Sequence, residues 1–444
     1  MQRKWLVAAT AVAVAVMAVL AGAAGVSRAS SSPSFTIIPL LQPNGGSETA
    51  ISINSSGFQA MTALSWNSPF GTHMWTGAFG TTPVFQGDFD LNIAPGILGG
   101  GDADVDLGST GTLHATSLIF INHGNQLGVS ALACPNADTS NKFANCKLQV
   151  IDTTTADRQW ITSDGPHVWI AYHDSANASL VHVQRSDDDG LTFHRVGDPI
   201  VGQGATTGNS TFNNENGPIV ADPTSHVLYD VFAAGVAGLQ KGTTANFNHV
   251  YVARSFDGGV TWSASLVYTA PVNVAQNNVF PSLAVDPANS KVYATWSDLH
   301  HVFVATSTDH GASWSAAQNV AAAPVTTAVM PWVSALNGTV DVVYYGTQST
   351  SNDDPSAVWN VYLAQSANAG GSFAQTQVSP HPNHVGVVCL EGISCAPGTR
   401  NLLDLFEVAL NPQNGKTSIV YTDDTLTKDP SGAPLPQAVL AQQN

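Results

Sequence analysis

The chain is predicted to be all-β: a single β-propeller of four-stranded antiparallel blades, with seven blades expected and six as the alternative. Three observations carry this prediction. Residues 280–314 form a meander of three β-type runs separated by turn-formers, and most of the chain reads as imperfect copies of it. A Ser-x-Asp-x-Gly-x-Ser/Thr-aromatic box closes several of the copies. The composition, 43% hydrophobic and only 10% charged with 39 Gly and 24 Pro, is that of a folded chain rich in turns. Such a meander cannot bury both faces of its own sheet. Repeating it radially buries the faces and leaves few sheet edges exposed.

The elements follow in order. Arg3 and Lys4 precede an uncharged apolar run from residue 5 to 26 and then small residues, the pattern of a secretory signal over residues 1–29. The run is also long enough for an uncleaved anchor, which would be the chain's one membrane contact. Residues 34–444 are then the propeller. Lead strands with their partners are expected at 48–63, 104–118, 159–172, 218–232, 281–296, 331–345 and 405–421, each an apolar run, a tight turn and a second run ending near an aromatic. Third strands are expected at 182–185, 250–254, 302–306, 361–365 and 438–442. The last unit lacks an outermost strand, and residues 34–41 are expected to supply it by pairing near 438–442.

The boxes centre on Asp188, Asp257 and Asp309, with a decayed copy at Asn368. In each, Gly supplies φ > 0 and the Asp can accept hydrogen bonds from turn amides and from Ser/Thr hydroxyls, so these are structural carboxylates. Four cysteines in an exported chain suggest two disulfides, Cys134–Cys146 and Cys389–Cys395 by spacing. A zinc site from His381, His384, Cys389 and Cys395 is the rival to the second pair.

These boxes resemble the Asp-box, or bacterial neuraminidase repeat, of the sialidase superfamily. The resemblance covers residues 158–373 through the boxes and 48–444 through the repeat rhythm. It implies a propeller and, more loosely, a glycan ligand or glycosidase chemistry. Known sialidases hold the sugar carboxylate with three arginines and carry a Phe-Arg-Ile-Pro motif, which is absent here. Arg185 and Arg254 precede boxes and Arg195 follows one, which puts them on the box face. Only Arg158 and Arg400 can reach the opposite face, and two arginines do not make the three-arginine clamp.

That opposite face, the mouth, also receives the long connections, including 88–101, 201–217, 270–279 and 380–404, and long loops on a rigid face are where binding is usually built. Residues entering the lead strands should ring the central channel. Glu48, Asp102, Arg158, Trp160, Asn214, Asn278, Trp332 and Asp404 are the candidate ligand contacts, because acids and amides bond sugar hydroxyls while aromatics stack on the ring. Asp104 and Glu215 are the candidate catalytic pair if the chain hydrolyses a glycoside. The run Asp102-Ala103-Asp104-Val105-Asp106 has the acid spacing of a calcium loop, but Leu107 stands where that loop needs Gly and Leu113 where it needs Glu. Strand alternation accounts for it better. No cofactor or metal is expected beyond that calcium possibility.

The formal charge is −17, and removing residues 1–29 takes away Arg3, Lys4 and Arg28 but no acid, giving 11 − 31 = −20. So acidic a body, with no basic stripe, argues against nucleic-acid or anionic-membrane partners. The function expected is that of a secreted or cell-envelope monomer binding a glycan or another extracellular ligand, without ordinary sialidase chemistry. A glycosidase and a structural envelope scaffold are the alternatives.

Overall fold

The computed structural model describes residues 32–444, apart from 92, 122, 123, 125, 155, 175–179, 201–213, 236–246, 272, 273, 277 and 278. The expected leader and Asn278 therefore lie outside the described residues. No helix among the described residues is long and apolar enough to cross a membrane.

Seven antiparallel sheets of four main strands form the fold. Their lead strands are Ser47–Ile53, Ala103–Leu107, Ala156–Asp164, Asn214–Ala221, Ser282–Asp286, Thr327–Leu336 and Glu407–Leu410. Each lead strand touches the next, and the seventh touches the first, so they make a closed inner ring. The structure is a seven-bladed propeller, which decides against six. The ring closes as the missing strand required: Phe35–Pro39 pairs with Pro434–Gln443, from Phe35 opposite Gln443 to Pro39 opposite Val439. The last blade is thus built from both ends of the described chain.

A lead strand has a partner on one side only, so its other edge presents unpaired amides toward the channel. Side chains of the neighbouring blade satisfy several of them. Leu107 N donates to Ser52 Oγ at 2.9 Å, Ile161 N to Asp104 Oδ2 at 2.9 Å, Ala221 N to Thr162 Oγ1 at 3.1 Å, and Ile51 N to Glu407 Oε2 at 2.9 Å. Blade-to-blade contact is therefore polar along the inner edge and apolar further out, where clusters such as Tyr293 with Val333 and Tyr344 fill the wedge between sheets.

The four boxes share one hydrogen-bond pattern. Asp257 accepts from Ser255 Oγ (2.8 Å), Thr261 N (2.9 Å) and Thr261 Oγ1 (2.6 Å), and Ser255 Oγ accepts from Gly259 N (2.9 Å). Asp188 and Asp309 repeat it, and Asn368 keeps it with its amide donating to Ser372 Oγ. One closing aromatic also reaches backwards. Trp314 Nε1 donates to Ser265 Oγ of the preceding blade, so the box fastens neighbours as well as its own turn.

Both disulfides form as the spacing predicts, Cys134–Cys146 and Cys389–Cys395. The first spans the outer hairpin of blade two, where a box would otherwise stand. The second takes both cysteines of the rival zinc set, while His381 and His384 turn instead to Asp423 and Asp424. Ala103–Leu107 is a strand, with Asp104 and Asp106 both bonded to blade three, through Ile161 N and Ser163 Oγ.

Candidate functional site at the propeller mouth

The site begins with irregularities in the lead strands. Register shifts fall at Ser47/Thr49, Asp157/Arg158/Gln159, Asn216/Ile219 and Val329/Trp332, at the mouth end of blades one, three, four and six. The extra residue at three of them has positive φ: Glu48 (+53°), Arg158 (+43°) and Met330 (+56°). A bulge bends the strand and re-aims the side chain it carries. Here it turns Glu48 and Arg158 toward each other across the inner ring, although they belong to non-adjacent blades.

Arg158 Nη1 lies 3.0 Å from Glu48 Oε1 and 3.8 Å from Asp102 Oδ2, and the guanidinium is buried. Its carbon sits 3.7 Å from the centroid of the Trp160 ring. Trp160 in turn packs at 5.3 Å on Trp332 from blade six and edge-on at 5.5 Å on Phe280. Trp160 and Trp332 meet from non-adjacent blades, so the axis is plugged by aromatic rings under Arg158 and the mouth is a blind pit at this level. Neither indole offers an open face to a ligand: Trp160 is fully buried and Trp332 nearly so.

Carboxyls crowd the pit. Burial pushes Glu215 up to about 8, helped by Asp157 and Asp404, and Asp157 up to about 6, helped by Asp102. Burial raises Glu48, Asp404 and Glu407 as well. The positive charge of Arg158 opposes the shift in every one of these groups and in Asp104. Glu215 has no hydrogen-bond partner among the described residues and remains partly accessible.

The second arginine arrives by the longest loop. Arg400 forks onto Asp404, with Nε at 3.2 Å from Oδ1 and Nη2 on Oδ2. The loop is held down by the blade-seven hairpin: Asp424 Oδ2 accepts from His384 Nδ1 at 2.8 Å and from Asn401 Nδ2 at 2.7 Å, and Asn383 Nδ2 donates to Thr422 O at 3.0 Å. Arg185 stays on the box face, bonded to Asp187, and Arg254 there reaches His310 O. Two arginines therefore reach the mouth among the described residues.

Sequence reasoning missed the cavity beside the pit. It measures about 440 Å³ and is walled by Trp66, Phe70, Leu98 and Phe120, with Glu48, Asp102 and Arg400 at its polar end. Phe70 and Leu98 are half exposed with no core to explain them. The floor is Gly99-Gly100-Gly101. A Cβ on Gly100, which has φ +88°, would come within 2.5 Å of Gly71 N, so the segment lies flush on the backbone of the 64–72 loop. Buried Asp90 locks the two together by accepting from Thr72 N (2.6 Å), Thr72 Oγ1 (2.7 Å) and Gly100 N (2.9 Å). The triple glycine was the signal available in the sequence.

Of the residues expected at the site, the structure gathers Glu48, Asp102, Arg158, Glu215 and Asp404 at the pit, and Trp160 and Trp332 beneath it. Asn214 is buried in the blade-four lead strand, opposite Ala234. Asp104 lies lower, with Oδ1 taking Val105 N at 2.7 Å and Oδ2 taking Ile161 N. Its charged neighbours are Arg158 and Asp106, whereas those of Glu215 are Asp157, Asp404 and Arg158, so the two expected partners do not face each other. Arg158 pairs with Glu48 and Asp102. Among the described residues no group of three or more His, Cys, Asp or Glu side chains is arranged to hold a metal ion.

No protein-family model matches the chain, and no curated protein is significantly similar to it. Solved structures do resemble it. A Dyadobacter fermentans protein of unknown function aligns over 93% of this chain and 98% of its own with TM-score 0.50 and 13% identity. An ulvan lyase, a polysaccharide lyase, aligns over 91% and 95% with TM-score 0.53 and 11% identity. The endosialidase of phage phi92 aligns over 93% of this chain and 69% of its own with TM-score 0.50 and 8% identity. At such identities the likeness is one of fold.

Proposed function

We propose that this chain is a secreted glycan-binding propeller whose ligand enters the mouth pit of blades one, two, three and seven. The observation that carries the reading is the cavity itself. Trp66, Phe70 and Phe120 line it together with Asp102, Glu48 and Arg400, the combination of side chains that stacks on a sugar ring and bonds its hydroxyls. Two of the similar folds, the ulvan lyase and the endosialidase, are by name glycan-active, which supports the ligand class. With two arginines at the mouth, each engaged by a carboxylate, a three-arginine grip on a sialic acid carboxylate is not available, and ordinary sialidase activity is not expected. The chain works as a monomer without a cofactor in this reading. The two disulfides fit an oxidising compartment. The test is a glycan array with the purified protein and with Trp66→Ala. A set of glycans bound by the first and lost by the second is expected; a blank array together with protein capture would favour an envelope scaffold instead.

A glycosidase is the second reading, and Glu215 favours it. A carboxyl that holds its proton at neutral pH, with no hydrogen-bond partner and with Asp157 and Asp404 as charged neighbours, is equipped to protonate a leaving oxygen. Release of a fluorophore from aryl glycosides, abolished by Glu215→Gln, would establish it over simple binding.

A further inference from the structure

The charge balance of the pit selects among sugars. Five carboxyls (Glu48, Asp102, Asp157, Glu215 and Asp404) face two guanidiniums, Arg158 and Arg400, with Asp104 and Glu407 below them and no lysine among the described residues that line the cavity. Both guanidiniums engage this set, although Arg158 does so through Nη1 alone and keeps Nε and Nη2 buried without a hydrogen-bond partner among the described residues. Arg400 forks onto Asp404, and Arg158 is bonded to Glu48 and covered on one face by Trp160. Asp102 is the carboxylate left over. Its side chain accepts no hydrogen bond among the described residues, its nearest cation is Arg158 at 3.8 Å, it is about one-fifth exposed, and it lines the cavity directly. The same cavity is lined by the rings of Trp66, Phe70 and Phe120, and an aromatic face carries the negative side of the ring's quadrupole.

A cavity lined by aromatic rings, with a carboxylate that accepts no hydrogen bond and meets its cation only at 3.8 Å, is complementary to an organic cation. Carboxyls outnumber guanidiniums there, which disfavours a uronate or sialate. We infer that the ligand is a sugar carrying a protonated primary amine, with its ammonium on Asp102 and its ring against Trp66 and Phe70. This rests on the glycan-binding reading above and narrows it to one substrate class. The raised carboxyls agree with it: the pit relieves its excess negative charge by holding protons, and a bound ammonium takes over that role. Binding should then release protons and tighten as pH rises from 5 to about 6, and weaken again above about 7 as the sugar amine loses its own charge.

The experiment is calorimetric titration of the purified protein with three tetrasaccharides: glucosamine, N-acetylglucosamine and galacturonic acid. The glucosamine oligomer is expected to bind at least about tenfold more tightly than its acetylated form, from one charge-assisted hydrogen bond. Its affinity should fall with added salt, and the heat should vary with buffer as protons leave. Asp102→Asn should erase the preference for the glucosamine oligomer over its acetylated form. The comparison among sugars needs only the unaltered protein, so it stands even if that variant folds poorly. Equal or tighter binding of the acetylated or uronate oligomer overturns this inference and leaves the glycan reading intact. Binding of none of the three, with a blank array, overturns both.

Discussion

Arg158→Leu is the sharpest perturbation of this molecule, because one cation serves the whole pit. In the folded chain Arg158 opposes the upward shift of Glu48, Asp104, Asp157, Glu215, Asp404 and Glu407 together. Leucine keeps part of the stem's contact with Trp160 but leaves Glu48 buried with no cation at 3.0 Å. Removing one partner of a buried pair costs about 3–5 kcal/mol when the other stays charged. The escape is protonation, which burial already favours for Glu48 even beside Arg158 and which becomes easier as pH falls. The loss should therefore be largest at pH 8 and shrink at pH 5 toward the lost cation–π contact alone, about 1 kcal/mol. The compact body spans residues 33–444, and at about 2.1 cal/mol/K per residue its unfolding entropy is about 0.9 kcal/mol/K. The Tm drop should then be about 4–6 °C at pH 8 and about 1 °C at pH 5. Differential scanning calorimetry at a single scan rate measures both, which keeps the comparison valid if unfolding is irreversible. An equal drop at the two pH values, or a drop below 1 °C at pH 8, would refute the keystone role of Arg158.

Three further outcomes are expected. The raised carboxyls, Glu215 at about 8, Asp104 at about 7, and Asp157 and Asp341 at about 6, keep protons in the folded chain that the unfolded chain has released. Their stabilisation is thus full below about pH 4 and is lost as pH rises through 6 to 8. The box carboxylates Asp188, Asp257 and Asp309 are held below their usual range by the box hydrogen bonds, and their contribution is lost as pH falls below about 4, so a Tm-against-pH curve should peak at about pH 4, with Glu215→Gln flattening its alkaline side. Asp257→Ala removes an acceptor from Ser255 Oγ, Thr261 N and Thr261 Oγ1 and should lower stability by about 2 kcal/mol, roughly 2 °C in the same calorimeter, without changing any ligand affinity. Deleting residues 33–41 strips the edge of Pro434–Gln443 and should give self-associating protein on size exclusion, and a synthetic peptide of those residues added during refolding should restore the single peak.

The fold was legible because its signals are local and repeated. Each box writes a turn into eight consecutive residues, and each lead strand and its partner share a turn, so strand order and blade count follow from counting. Even the closure could be reasoned out, since a last unit one strand short must find the strand elsewhere and residues 34–41 were the unassigned β-run. The site was only half legible. Position along the lead strands correctly brought Glu48, Asp102, Arg158, Glu215 and Asp404 to the mouth, but position does not reveal partners. Arg158 and Glu48 are 110 residues apart and meet across the ring because each sits on a bulge. Alternation with period two presumes an unbroken ladder, and one extra residue shifts every side chain before it. Trp160, on the regular ladder just past that bulge, packs against Arg158 and Trp332, which is why the expected stacking surface is interior and Trp66, Phe70 and Phe120 take its place.

The bulges also explain why the two halves of the mouth differ. Where the ladder is regular, as at Asp104 and Glu407, a lead-strand carboxyl lies along the inner edge and is consumed by the next blade's amide. Where it is bulged, at Glu48 and Arg158, the side chain lifts off that edge and pairs across the ring above it. A backbone at φ near +50° on a non-glycine residue costs about 1 kcal/mol or more, and two such residues persist only because their side chains bind each other and rest on the aromatic plug. Replacing Glu48 by Gly would relax its backbone and yet release Arg158. Strand geometry and pit electrostatics are therefore one structural fact, and a ligand that reorganises the Glu48–Arg158 pair acts directly on the packing of blades one and three.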